Sequence, residues 1–540
     1  MFDKSILKWL VLLCVWFAFF VSIGVYRGGY QGWYFGVWLG TQLLFPVVTW
    51  IYEKTIFKLN WKKVFTALLI CLLPVLLRET LAIPGRINGD DINTAYFTVI
   101  TDWRSINMFS GIPADKLKWV SQFPVPFFLF QKIFFNVFGE NFDTVRRSVL
   151  PYVYIVSLGV YYIADKWWGW KAAVAAVVFY AFLAPSMYLE TLGLHFVSST
   201  AIFTVFAACV VAFLYKPDRT TAAAAGLAAG WCYLFYITSY IALGVLGVAW
   251  LAVAVKNPRD GFRLFIWSTI GAMLVLGPFV GYALGVDNYF GVRMGQVKFV
   301  PSEAISPARS RLMHLKATIR SMYTPGIGGA GGYNFGGQAF LEPVSLALLS
   351  TGLILVLYRT RGGFFVPVTL LGAFTAAAVS AWPPAFHRMS LGFPALALAM
   401  AASVHHQKKL LLNAGWWWAV AVILTYTAAN LDLWKKMAYE TGVNHDISLA
   451  RHLTENFPDR TIRMAAFPGY VFERMYRFFP GSNRPILETD YHANLLNRFT
   501  PDEKYVYAMI YAEEFGPKFQ AMDPVGKLYR YSDVYSIFAN

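Results

Sequence analysis

Charge is scarce in this sequence. Only 14% of its 540 residues are Asp, Glu, Lys or Arg, where a water-soluble domain carries about 25%. A single water-soluble globule is therefore excluded. Disorder is excluded as well, because 57% of the residues are hydrophobic and 18% aromatic. Cysteine is nearly absent. Cys14, Cys71, Cys209 and Cys232 all lie inside apolar runs, which rules out a secreted disulfide scaffold and makes thiolate metal binding unexpected. The first apolar segment lacks a small-residue cleavage site, so it reads as a retained helix. Acidic residues are outnumbered by basic ones, 30 to 46, for a formal net charge of +16. No basic motif or RNA-binding signature accompanies that surplus, so nucleic acid is not the expected partner. Basic residues at the ends of apolar segments mark a polytopic, integral membrane protein.

What charge there is clusters late. Of the 76 charged residues, 27 fall in 431–540, a density typical of soluble domains. There 13 basic residues nearly balance 14 acidic ones, so the membrane part holds the whole positive surplus. The expected division is a membrane domain over 1–430 and a small water-exposed α/β or α+β domain over 431–540.

A crossing helix needs about 20 mostly apolar residues. Such segments lie near 8–26, 33–52, 64–83, 148–164, 172–186, 196–215, 221–238, 239–255, 263–284, 339–358, 364–382, 389–404 and 413–430. The expected fold is thus an all-α membrane domain of about thirteen spans. Lys54, Lys58, Lys62 and Lys63, then Lys166 and Lys171, Lys216 and Arg219, Lys256, Arg259 and Arg263, Arg359 and Arg361, and Lys408 and Lys409 fall in alternate connections. The positive-inside rule puts these and the N-terminus in the cytoplasm. An odd number of spans then places the C-terminal domain outside, as expected for a plasma or inner membrane protein.

Function is sought in the outward segments 84–147, 187–195 and 285–338. After the third span, Ile92, Tyr96, Val99, Trp103 and Ile106 recur at helical spacing. The pattern predicts a helix lying on the bilayer interface, opened by Asp90 and Asp91, where carboxylates are favoured by exposed amides. Capping alone accounts for the pair as well as function does. Adjacent carboxylates can also raise one another's affinity for a proton, as a general base requires. The apolar run from Pro124 to Gly139 is short and interrupted by Gln131, Lys132 and Asn136, so it reads as a second interfacial helix. The stretch 325–337 holds seven glycines; it is either a flexible linker or a lid that orders on substrate.

In their order, several features resemble the GT-C superfamily of polyprenyl-phosphate-sugar glycosyltransferases, above all the protein O-mannosyltransferases and the lipid A aminoarabinose transferase. They are Gly89-Asp90-Asp91, then Pro124-Val125-Pro126-Phe127-Phe128, then Phe138-Gly139-Glu140 with Phe142 and Arg146. Lys166-Trp167-Trp168-Gly169-Trp170-Lys171 is similar to the family's cytoplasmic turn, Ala184-Pro185-Ser186 to the end of its next span, and Arg388 with Pro394 to a late span start. The chain departs from the family in having an extra early span and Asp91 where Glu is commoner. Relatives carry a further acid in the next outer loop; here Glu190 or His195 stands in that region.

The resemblance implies a sugar donor on a polyprenyl phosphate and an acceptor hydroxyl from a lipid, glycan or protein, with membrane lipids as surroundings. Asp90 or Asp91 would take the proton from the attacking hydroxyl. Attack opposite the phosphate would invert the anomeric carbon, and the anionic leaving group needs positive charge. Arg104, Arg146, Arg293, Lys298, Arg320, His387 and Arg388 are the candidates, although a headgroup contact or ion pair is the plainer role for any one. No cofactor or metal is implied; Asp90, Asp91 and Glu190 leave room for a divalent ion that this branch generally does without. A polytopic transporter or flippase of lipid-linked sugars is the rival class. Carriers place ionisable groups in broken spans near the midplane, whereas the notable acids here lie in outer loops.

Overall fold

The structure is a computed structural model describing residues 4–53, 60–82, 89–101, 107–109, 125–235, 237–285, 307–327, 335–379, 384–410, 414–440, 445–465, 478, 487–489, 499–500, 504–509, 512–531 and 536–539. It is mostly helical. Helices α1 (Lys4–Tyr26) and α2 (Gly32–Glu53) lead to α3 (Trp61–Ile70) and α4 (Leu72–Thr80). The break between α3 and α4 falls where Pro74 has no N–H to offer the Ile70 carbonyl. The segment after α4 holds α5 (Gly89–Ile100), α6 (Val125–Phe138) and α7 (Phe142–Arg147). Then come α8 (Leu150–Trp168), α9 (Trp170–Ala181), α10 (Ala184–Leu189), α11 (Phe196–Tyr215), α12 (Arg219–Cys232), α13 (Ile241–Ala254) and α14 (Pro258–Gly285). The late helices are α15 (Pro307–Ser321), α16 (Pro343–Arg359), α17 (Phe365–Ala378), α18 (Phe393–Leu410) and α19 (Gly415–Glu440).

A helix occupies each of the thirteen expected segments. Five of the described helical stretches are long and apolar enough to cross a membrane: Ile6–Tyr26, Gly32–Glu53, Phe142–Trp168, Phe196–Tyr215 and Pro258–Gly285. Of these, α11 is the most enclosed and α1 the least. Small residues let the central helices approach closely. A Cβ on Gly226 of α12 would overlap the Ser268 carbonyl of α14, and one on Gly352 of α16 would overlap the Ala399 carbonyl of α18.

The composition break near 430 falls inside α19, which continues to Glu440. Beyond α20 (His445–Asn456) lies a five-stranded sheet of β1 (Thr461–Ala465), β2 (Leu487–Thr489), β3 (Tyr505–Met509), β4 (Lys527–Arg530) and β5 (Ser536–Ala539), with α21 (Ala512–Met522) beside it. The order is β2-β1-β3-β5-β4. β1 pairs in parallel with β2 and β3, and β5 is antiparallel to β3 and β4.

A second core joins this sheet to α5, α6 and α7. Ile92, Ala95 and Val99 of α5 bury with Phe135 of α6, Val145 of α7, Leu449 and Leu453 of α20, and strand residues Ile462, Val506 and Ile537. The helix expected to rest on lipid therefore packs on protein. Its periodicity marks a buried face without naming what covers that face; Trp103 and Ile106 of the same pattern lie outside the described residues.

Candidate active site

Asp90 and Asp91 form the first turn of α5. Asp90 is exposed and Asp91 fully buried. The turn is bonded to itself by Thr94 Oγ1, which donates to the Asp90 carbonyl at 2.7 Å. One turn on, a buried polar chain anchors the helix. Thr98 Oγ1 donates to Gln131 Oε1 at 2.6 Å, Gln131 Nε2 donates to Ser148 Oγ at 3.1 Å, and Ser148 Oγ donates to the Val145 carbonyl at 2.7 Å. All three side chains are buried, so each bond is needed to satisfy its neighbour. The chain fixes α5 against α6 and the α7–α8 junction. At 14 residues, about 21 Å long, α6 is too short to span a bilayer core of about 30 Å.

Glu190 occupies a different environment. Helix α9 stops because Pro185 cannot donate to the Ala181 carbonyl, leaving carbonyls at its end without helical partners. Side chains take them. Tyr426 Oη donates to the Phe179 carbonyl at 2.6 Å; Arg78 donates to the carbonyls of Tyr180, at 3.2 Å, and Ala181. The same guanidinium holds Glu190 Oε2 through Nε at 3.0 Å and Nη2 at 2.9 Å. Ser186 Oγ donates to that oxygen and Tyr180 Oη to Oε1, each at 2.7 Å. Asn430 Oδ1 accepts from the Ala184 N–H at 3.0 Å, while its Nδ2 donates to Glu342 Oε1 at 3.0 Å. Arg78 and Glu190 are both about 1% exposed.

His195 precedes α11, and its ring meets Phe127 of α6 and Phe196. Phe196 in turn meets His387, their centroids 5.9 Å apart. This aromatic relay brings the start of α6, the α10–α11 junction and the 386–392 turn together, with Arg388 next in sequence and partly buried. Phe335 sits beside them in a left-handed conformation (φ 52°), fully buried between Tyr188, Phe340 and Phe386. It closes the glycine-rich stretch, whose ends are tied by Gly326 N–H to the Gly337 carbonyl at 2.6 Å.

The remaining candidates are dispersed. Arg146 lies 3.9 Å from Glu79 and 3.5 Å from Asp143. Arg320 is exposed near the end of α15, and Arg104, Arg293 and Lys298 lie outside the described residues. Arg78, Arg147, Gln131 and Thr98 were not singled out by sequence. An arginine within the apolar run Leu72–Thr80 was the available signal, since a charge there needs a buried partner. Arg147 donates to Glu79 Oε1 from Nε at 2.9 Å and Nη2 at 2.6 Å. Both line a groove of about 1090 Å³ with Leu72, Phe134, Phe138 and Tyr154 as apolar wall.

The fold is similar to those of two solved structures, ArnT and the oligosaccharyltransferase AglB. ArnT from Cupriavidus metallidurans, bound to undecaprenyl phosphate, has a TM-score of 0.55 at 13% identity, covering 88% of this chain and 97% of its own. Its apo state gives 0.53 at 11% over 88% and 96%. The oligosaccharyltransferase AglB from Archaeoglobus fulgidus, in complex with an inhibitory peptide and a dolichol-phosphate, gives 0.51 at 12% over 89% and 75%. No family model and no curated protein matches the chain.

Proposed function

We propose that this chain is an integral membrane glycosyltransferase that moves a sugar from a polyprenyl-phosphate donor to a hydroxyl acceptor outside the cytoplasm. The observation that carries the reading is the Asp90–Asp91 pair, one carboxylate exposed and one buried, on a helix anchored by the Thr98–Gln131–Ser148 chain. A fixed carboxylate is what removal of a proton from a weak hydroxyl nucleophile requires. One of the pair takes that proton while its neighbour orients the acceptor. Attack at the anomeric carbon opposite the phosphate inverts it. His195, His387 and Arg388 lie around one aromatic relay and supply polar and cationic contacts to the departing phosphate. Glu190, already committed to Arg78, Tyr180 and Ser186, is a positioning residue for the loop that leads to His195. The groove beside Glu79 and Arg147 offers an apolar wall to the polyprenyl tail. The reading takes about thirteen spans, a cytoplasmic N-terminus and the sheet outside, and needs no metal.

The test is transfer of radiolabelled sugar from polyprenyl-phosphate donors by purified enzyme in liposomes. Asp90→Asn and Asp91→Asn are expected to lower kcat, the base by about 10²–10⁴-fold. Full activity in both variants would overturn the assignment.

A further inference from the structure

At the end of the bundle opposite Asp90, a cavity of about 330 Å³ lies between α1, α2 and α14, at the start of α12. The span from Trp61 to Thr80 separates the two ends by about 30 Å. Lys8, Arg219 and Arg263 line this cavity, together with an apolar wall that includes Leu7, Val11 and Val48. Arg219 is the unusual member. Its guanidinium lies 4.2 Å from the Tyr52 ring centroid and 5.9 Å from that of Trp267, and Trp267 itself stacks on Phe45. The two rings thus flank the guanidinium. Its Nε is buried and makes no hydrogen bond among the described residues. Glu53 is its one ion-pair partner there, at 3.6 Å, beyond hydrogen-bond length. Arg263 pairs with Asp260 at 2.9 Å, where both side chains are about half exposed. Lys8 makes no ion pair among the described residues. Lys8, Arg219 and Arg263 thus line the cavity with no carboxylate among its lining residues, Glu53 pairing with Arg219 and Asp260 with Arg263.

Arg219 is partly buried, 18% exposed, and a guanidinium Nε that is itself buried without a hydrogen bond is costly unless an anion meets it. A hydrophobic wall along α1 and α2 favours an occupant with an apolar part, and basic pockets between spans suit anionic lipid headgroups. We infer that this cavity binds the phosphate of an anionic phospholipid, with Arg219 and Lys8 on the phosphate oxygens and an acyl chain along Leu7 and Val11. The site is separate from the proposed centre of sugar transfer and does not depend on that activity. The lipid cements α1 and α2 to α12 and α14 at that end.

Native mass spectrometry of the full chain, released from bilayers of phosphatidylglycerol and phosphatidylethanolamine, tests the inference. The wild-type protein is expected to keep one phosphatidylglycerol after delipidation. Arg219→Gln and Lys8→Gln should each lower that retention about five-fold, the equivalent of about 1 kcal/mol per basic residue, while Arg219→Lys keeps most of it. Lys8 is exposed, so its variant reports on the site even if Arg219→Gln disturbs packing. Equal retention of phosphatidylethanolamine, displacement by inorganic phosphate alone, or retention unchanged in both Gln variants would each overturn it.

Discussion

Replacing Arg78 by methionine removes the one cation that faces Glu190 in its buried network. An uncompensated buried carboxylate of this kind costs about 3–5 kcal/mol, and the Tyr180 and Ala181 carbonyls lose a donor besides, at about 1–3 kcal/mol each. Glu190→Met strands the guanidinium instead, at a similar charge penalty, although the two carbonyls keep their partner. The double variant carries no buried charge and retains only the carbonyl cost. Its loss of stability should therefore fall short of the summed singles by about 3 kcal/mol or more. The measurement is a double-mutant cycle by denaturant titration in mixed micelles, with the single variants at matched protein and detergent. Independent sites add within about 0.3–0.5 kcal/mol. A cycle that closes within that margin would refute the network as the element holding the end of α9.

Two further outcomes follow from the same geometry. Gln131→Leu breaks the bond to Thr98 while leaving Asp90 and Asp91 intact; it should lower kcat more than it raises KM, because it loosens the helix that carries them. An unchanged kcat would show that α5 is held by its apolar face alone. In the sheet region, burial against Tyr531, whose ring lies 4.7 Å away, holds His452 below the usual histidine range, with Glu455 opposing. The unfolded chain then binds the proton better than the folded one, so stability is complete above about pH 6.5 and declines as the pH falls. Thermal melts between neutral and mildly acidic pH should show this decline in the wild type and a flatter profile in His452→Phe; identical profiles would dismiss it.

Helix positions were legible in the sequence because apolar runs and basic connections are local signals. So was the start of α5, where Gly89 and the two aspartates precede an apolar repeat. Partners were not legible. Arg78 and Glu190 stand 112 residues apart in sequence, and nothing periodic links them. The repeat in α5 revealed a buried face, yet lipid and the sheet's second core satisfy that pattern equally. The change in composition near 430 is not a helix boundary, because α19 carries on through it and keeps Leu433, Trp434 and Met437 in the main core. His195 and His387 meet through Phe196, a contact set by where α11 and the 386–392 turn pack.

Phe335 joins what would otherwise be three independent segments. Its ring is shared by Tyr188, two residues before Glu190, and by Phe386, the neighbour of His387, while its own backbone ends the glycine stretch. The left-handed conformation costs about 1–2 kcal/mol for a residue with a side chain, and the ring contacts offset it. One ring thus couples the packing of the three segments, so a smaller side chain at 335 loosens Tyr188 and Phe386 together.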